Sequence, residues 1–122
     1  MRIFIACAEE RLRIALLLLL DNEPGMAVVG MSDRVQGLCA QVEASQPHVL
    51  VMQWDLPARA LADLLAEIRS LNWTPKVIYL SGRAHDRKRV LAAGADYYVV
   101  TNAPPDELLS ILNDLRTLEA QG

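Results

Sequence analysis

Aromatic residues are scarce in this chain of 122 residues, with one Phe, two Trp and three Tyr making up 5% of it. An interior with so few rings has to be filled by Leu, Val, Ile and Ala, which is the composition of an α/β domain rather than of an aromatic β-sandwich. Cysteine is nearly absent as well. Cys7 and Cys39 stand far apart, form no metal or redox spacing, and suit a reducing cytoplasm. The two histidines, His48 and His85, match no ligand spacing and read as surface or loop residues. An excess of positive charge is missing: 12 Lys and Arg face 15 Asp and Glu, for a net charge of -3. Direct binding of nucleic acid by this domain therefore has no electrostatic support. Long hydrophobic runs are missing too. Leu16 to Leu20 is hemmed by Arg11, Arg13 and Asp21, too short to span a bilayer and without a small-residue cleavage site after it, so neither a membrane helix nor a secretory signal is expected. No glycine-rich phosphate loop, serine nucleophile elbow or zinc motif occurs, and no cofactor or metal is expected.

What is present is an alternation of short apolar runs and amphipathic stretches. Arg2 to Ala8 reads as a strand buried on both faces. Glu9 and Glu10 then favour a helix N-terminus, and Leu12, Leu16, Leu19 and Leu20 follow as one helical stripe before Asn22-Glu23-Pro24-Gly25 stops it. Met26 to Gly30 is the second strand; Ser32 or Asp33 is expected to cap a helix burying Val35, Leu38, Cys39 and Val42. His48 to Gln53 is the third strand, followed by the turn Asp55-Leu56-Pro57 and a helix burying Leu61, Leu64, Leu65 and Ile68. Lys76 to Leu80 is the fourth strand, and a helix from about His85 to Ala93 is closed by Gly94. Tyr97 to Val100 is the fifth strand, and Pro105-Asp106-Glu107 starts a last helix carrying Leu108, Leu109, Leu112 and Leu115.

Five βα units with short connections predict a doubly wound α/β domain, a parallel sheet covered by helices on both faces, with function at the carboxyl ends of the strands. No linker, repeat or low-complexity segment interrupts residues 1–122, which read as one domain, either stand-alone or the N-terminal part of a longer regulator. Such a length buries roughly two-thirds of the surface exposed by the unfolded chain.

The order of these segments resembles the receiver domain of bacterial response regulators, the CheY-like family. The resemblance covers the whole chain. It rests on Val28-Val29-Gly30, Pro47 before the third strand and Pro57 four residues after it, then Val77-Ile78-Tyr79-Leu80-Ser81, Ala92-Ala93-Gly94-Ala95-Asp96-Tyr97-Tyr98, and Pro105-Asp106-Glu107-Leu108-Leu109. It implies a flavodoxin-like (βα)5 sheet in the order 2-1-3-4-5. It also implies a phosphorylation pocket built from an acidic pair that holds Mg²⁺, an acceptor Asp and a Lys. Here the acidic pair aligns with Cys7 and Ala8, the acceptor with Gln53 and the Lys with Thr101. A neutral amide cannot form an acyl phosphate, and neither a thiol nor a methyl group suits a hard cation. Ser81 and Tyr98 match the family's two switch positions, the hydroxyl that contacts the phosphoryl group and the ring that changes rotamer; both are also ordinary packing choices.

The pocket therefore reads as degenerate, and the chain as a pseudo-receiver: not an enzyme, cytoplasmic, acting in two-component signalling by phosphorylation-independent contact with a protein partner or an adjoining output domain. The other reading keeps a metal or phosphoryl site on Asp55, Glu9 and Ser81, with Glu10 nearby; Asp55 also reads as a plain turn residue. Cys7 at a strand end reads as a buried inert thiol or as a reactive one. Two contact surfaces are expected. Ile14, Leu17 and Leu18 form a second apolar stripe on the first helix, more than one core face needs. The resemblance adds a dimer face of the fourth helix, fifth strand and fifth helix, where Arg83, Arg87, Lys88 and Arg89 stand against Asp106, Glu107 and Asp114, a mixture suited to a homodimer.

Overall fold

The computed structural model of the chain describes residues 1–83, 86–101 and 106–121, of which 119–121 by backbone alone. The elements alternate along the chain: β1 (Arg2–Cys7), α1 (Glu10–Asp21), β2 (Ala27–Ser32), α2 (Leu38–Ser45), β3 (Val49–Gln53), α3 (Ala58–Arg69), β4 (Lys76–Ser81), α4 (Arg87–Ala93), β5 (Tyr97–Val100) and α5 (Asp106–Gln121). The strands form one parallel sheet in the order β2-β1-β3-β4-β5. The doubly wound (βα)5 expectation holds, including the strand order implied by the resemblance.

Successive side chains of a strand point to opposite faces, and so the sheet divides the interior in two. Ile3, Ile5 and Cys7 of β1 join Val49, Val51, Ile78 and Leu80 under Leu16 and Leu20 of α1 and Leu108, Leu112 and Leu115 of α5. Phe4 and Ala6 join Leu50, Met52, Val77 and Tyr79 under α2, α3 and Val90 of α4. Leu61, Leu64, Leu65 and Ile68 of α3 are all buried, as their spacing predicts. Each fully buried Leu or Ile contributes roughly 1.5–3 kcal/mol, so neither layer is dispensable.

The burial of the edge strand β2 alternates along its length, and none of its residues is fully buried. Gly30 is required there, because a β-carbon would stand 2.6 Å from the Phe4 ring. A clamp joins α3 to the strands: Arg69 donates to the Gly94 carbonyl and, at 3.0 Å, to Asp96 Oδ1, while Asp96 Oδ2 accepts the Val77 N–H at 2.8 Å. The predicted stop of α4 is observed, with Gly94 at φ 124°.

The second helix departs from expectation. Ser32 ends β2, its hydroxyl accepting the Arg34 N–H at 3.2 Å and donating to the Arg34 carbonyl at 2.9 Å, so it closes a local turn instead of capping a helix. The helix starts five residues beyond Asp33, at Leu38, once Gly37 has turned the chain with φ 80°. Val35, expected in the core, is left 37% exposed. β2 runs later than expected, with Met26 buried ahead of it. The expected starts at His85 and Pro105 lie outside the described residues.

Candidate functional site

The order of a doubly wound sheet reverses beside its first strand, and a crevice opens there at the carboxyl ends. In this chain β1 and β3 flank that reversal, with Cys7 and Gln53 as register partners. The Cys7 S–H is shared between Gln53 Oε1 at 3.5 Å and the Glu9 carbonyl at 3.4 Å. Burial pushes the thiol pKa above its usual 9.0, and the Glu9 charge adds to this; the bond to Glu9 and the Arg13 charge act the other way. Cys7 is therefore a protonated donor at neutral pH, and the reactive-thiol reading loses its chemical basis. Ala8 is exposed, and its N–H donates to the Gln53 carbonyl at 3.4 Å.

Sequence reasoning overlooked Arg13. Its guanidinium reaches back from α1 and donates to the Cys7 carbonyl at 3.0 Å, which sets a fixed cation at the end of β1. The only signal for it was an arginine one turn into a helix otherwise crowded with leucine.

On the β4–β5 side, the Thr101 N–H donates to the Ser81 carbonyl at 2.7 Å, and the Ser81 hydroxyl accepts the Arg83 N–H at 3.1 Å. Tyr98 is buried with its hydroxyl donating to the Arg83 carbonyl. Tyr79, also overlooked, donates to the Trp54 carbonyl. The two rings lie 6.4 Å apart, 13° from parallel. Each tyrosine thus ties down one loop of the crevice, 54–57 or the segment after Ser81. Burial pushes the Tyr79 phenol up, so it stays a donor.

A cleft of about 340 Å³ lies between those loops, lined by Gln53, Trp54, Asp55, Ser81, Gly82, Arg83, Asp86 and Arg89 among others. Asp55 and Ser81 meet there, whereas Glu9 does not line it. Among the described residues, no three His, Cys, Asp or Glu side chains gather closely enough to hold an ion. Magnesium demands several oxygen ligands and dehydrates reluctantly. The Cys7 thiol, the Ala8 methyl group and the Gln53 amide at the ends of β1 and β3 do not fit it; the carboxylates that line the cleft, Asp55 and Asp86, gather no third ligand of that kind among the described residues, and no chemical step through that ion follows.

A sequence model of the response regulator receiver domain matches residues 3–113. The chain belongs to the receiver domain family of two-component response regulators. It is 26% identical to the transcriptional regulatory protein DesR of Bacillus subtilis over 113 residues, 93% of this chain and 57% of DesR. The chain thus spans little more than half the length of that relative. Among solved structures, the response regulatory domain of protein mrkE from Klebsiella pneumoniae superposes with a TM-score of 0.82 at 16% identity, covering 100% of both chains. The signal receiver domain of the response regulator NarL from Mycobacterium tuberculosis gives 0.80 at 19% identity, covering 95% of each.

The surfaces of this receiver domain differ in part from expectation. Ile14 and Leu18 are exposed on α1 by 47% and 60%. Leu17 does not belong with them: it packs half-buried against the core of α1 and α5, because its place on the helix turns it from solvent. Arg83, Arg87, Lys88, Arg89, Asp106, Glu107 and Asp114 are all exposed. Arg89 pairs with Asp86 at 3.6 Å, within its own segment. Among the described residues no helix is long and apolar enough to cross a membrane.

Proposed function

We propose that this receiver domain works in two-component signalling without accepting a phosphoryl group, as a cytoplasmic protein-interaction module rather than an enzyme. The observation that carries this reading is the Cys7–Gln53 contact at the switch point, with the Arg13 guanidinium on the Cys7 carbonyl. Phosphoryl transfer to a carboxylate needs an ionised nucleophile and metal ions to neutralise developing charge. The residues aligned with those roles are neutral, and a guanidinium already occupies the Cys7 carbonyl. Thr101 supplies no charge for a phosphoryl oxygen.

Signalling then passes through contacts. The exposed pair Ile14 and Leu18 suits a partner chain or an adjoining domain, and the mixed charges from Arg83 to Asp114 suit a two-fold homodimer. Residues 1–122 form one domain, and the length and name of DesR support an output domain for transcriptional control. Nucleic-acid contact belongs to that second part, since this one carries a net charge of -3.

Intact-mass measurement after incubation with acetyl phosphate and Mg²⁺ tests the proposal directly. The mass is expected to stay unchanged, and gain of a phosphoryl group overturns the reading. Trp54 emission, on the cleft wall, should likewise not respond to Mg²⁺ with beryllium fluoride. A saturable response abolished by Asp55→Asn would establish the other reading, a non-standard site on Asp55 and Ser81.

A further inference from the structure

At the opposite end of the sheet, a groove of about 310 Å³ opens between the amino ends of β3 and β4 and the last turns of α5. Its apolar wall is Val49, Leu115, Met1 and the Trp73 ring, and Leu118 stands on the rim, 62% exposed. Folding normally leaves a leucine so exposed no reward unless something covers it, although single cases are common. Trp73 is what distinguishes this place. Its indole N–H donates to the Pro47 carbonyl at 2.6 Å, its ring meets His48 edge-on at 6.0 Å, and the Arg2 guanidinium lies 5.4 Å from its centroid. A large flat wall is thus held in place before any ligand arrives, which lowers the entropy lost on binding.

Among the described residues the charge at the groove has one sign. Among the described residues lining it, Lys76 is the charged side chain and no carboxylate is present. Arg2, behind Trp73, adds to the positive potential. The volume is at the small end of those that hold organic ligands, and an apolar wall with a few polar groups is their usual chemistry. We propose that this groove binds a small amphipathic carboxylate, its apolar body against Trp73, Leu115 and Leu118 and its carboxylate on the Lys76 ammonium. Such a site lies away from the cleft of Gln53 and is independent of whether that cleft accepts a phosphoryl group.

The test uses the unaltered chain, in which the indole N–H resonances of Trp73 and Trp54 report separately on the two ends of the sheet. Titration with 4-phenylbutyrate is expected to shift the Trp73 signal saturably and leave Trp54 in place. Its neutral twin 4-phenylbutanol should bind about fourfold more weakly, the scale of an exposed ion pair, and 4-phenylbutylamine more weakly still. Lys76→Gln should bring the acid down to the level of the alcohol. Leu118→Glu, at an exposed position that folding tolerates, should abolish the shift while circular dichroism stays unchanged. The proposal is overturned if no probe shifts Trp73 saturably, if acid and amine bind equally, or if Leu118→Glu binds as well as the unaltered chain.

Discussion

Gly30 and Cys7 show how much single positions decide here. A methyl group at Gly30 would stand 2.6 Å from the Phe4 ring. Gly30→Ala is expected to destabilise the domain by about 1–3 kcal/mol, the usual cost of overpacking, measured as a lower urea midpoint; adding Phe4→Leu should return part of it. The thiols and a phenol set the response to alkali. Burial raises the pKa of Cys7 and of Cys39 above 9.0, and that of Tyr79 above 10.0; Glu67 adds to the effect at Cys39. The unfolded chain therefore loses these protons first as pH rises. Their contribution is whole below about pH 9 and is lost as pH climbs through the folded values. Urea midpoints should be level from pH 7 to 8.5 and fall beyond it, less steeply in Tyr79→Phe. A midpoint that rises above pH 9 would contradict this assignment.

Among the elements, α1 and the two tied loops carry the distinctive features. Ile14 and Leu18 face solvent while Leu17 supports the core, so Ile14→Glu with Leu18→Lys should weaken self-association or partner binding without changing the unfolding midpoint. Light scattering over a concentration series distinguishes this from a surface that contacts nothing. Tyr79 and Tyr98 act on the loops. Removing either hydroxyl forfeits a bond to a backbone carbonyl, at a cost of about 1 kcal/mol. Hydrogen exchange should quicken at 54–57 in Tyr79→Phe and just after Ser81 in Tyr98→Phe, each without the other. Spread of faster exchange over both segments in both variants would mean that the stacked rings work as one unit.

For the molecule as a whole, one sheet serves two hydrophobic layers, and neither layer can persist without it. Leu65→Ala under α3 and Leu112→Ala under α5 empty opposite sides, and each should cost about 2–5 kcal/mol. Both should lower a single cooperative transition seen alike by tryptophan emission and circular dichroism. Two transitions in either variant would show that the layers unfold separately.

Much of this architecture was legible in the chain. The spacing of Leu61, Leu64, Leu65 and Ile68 predicts the buried face of α3, and the apolar run before Gln53 predicts a strand buried on both faces, because helix and strand periods depend on near neighbours alone. The positions at the ends of β1, β3, β4 and β5 were legible through the resemblance to the receiver family, since the periodic pattern placed the ends of β1 and β4 one residue away. The sequence by itself thus determined five βα units and the order in which they follow. Tertiary structure alone decided what their residues touch. Cys7 meets Gln53 across 46 positions, Tyr79 meets Trp54 across 25, and Arg2 donates to His48 across 46. It also turned Leu17 inward and delayed α2 until Gly37, where a local Ser32 turn competed with the helix. Contacts between distant segments depend on register and crossover geometry, which no local period encodes; the groove of Trp73, Lys76 and Leu118 came into view only once the sheet and α5 were in place.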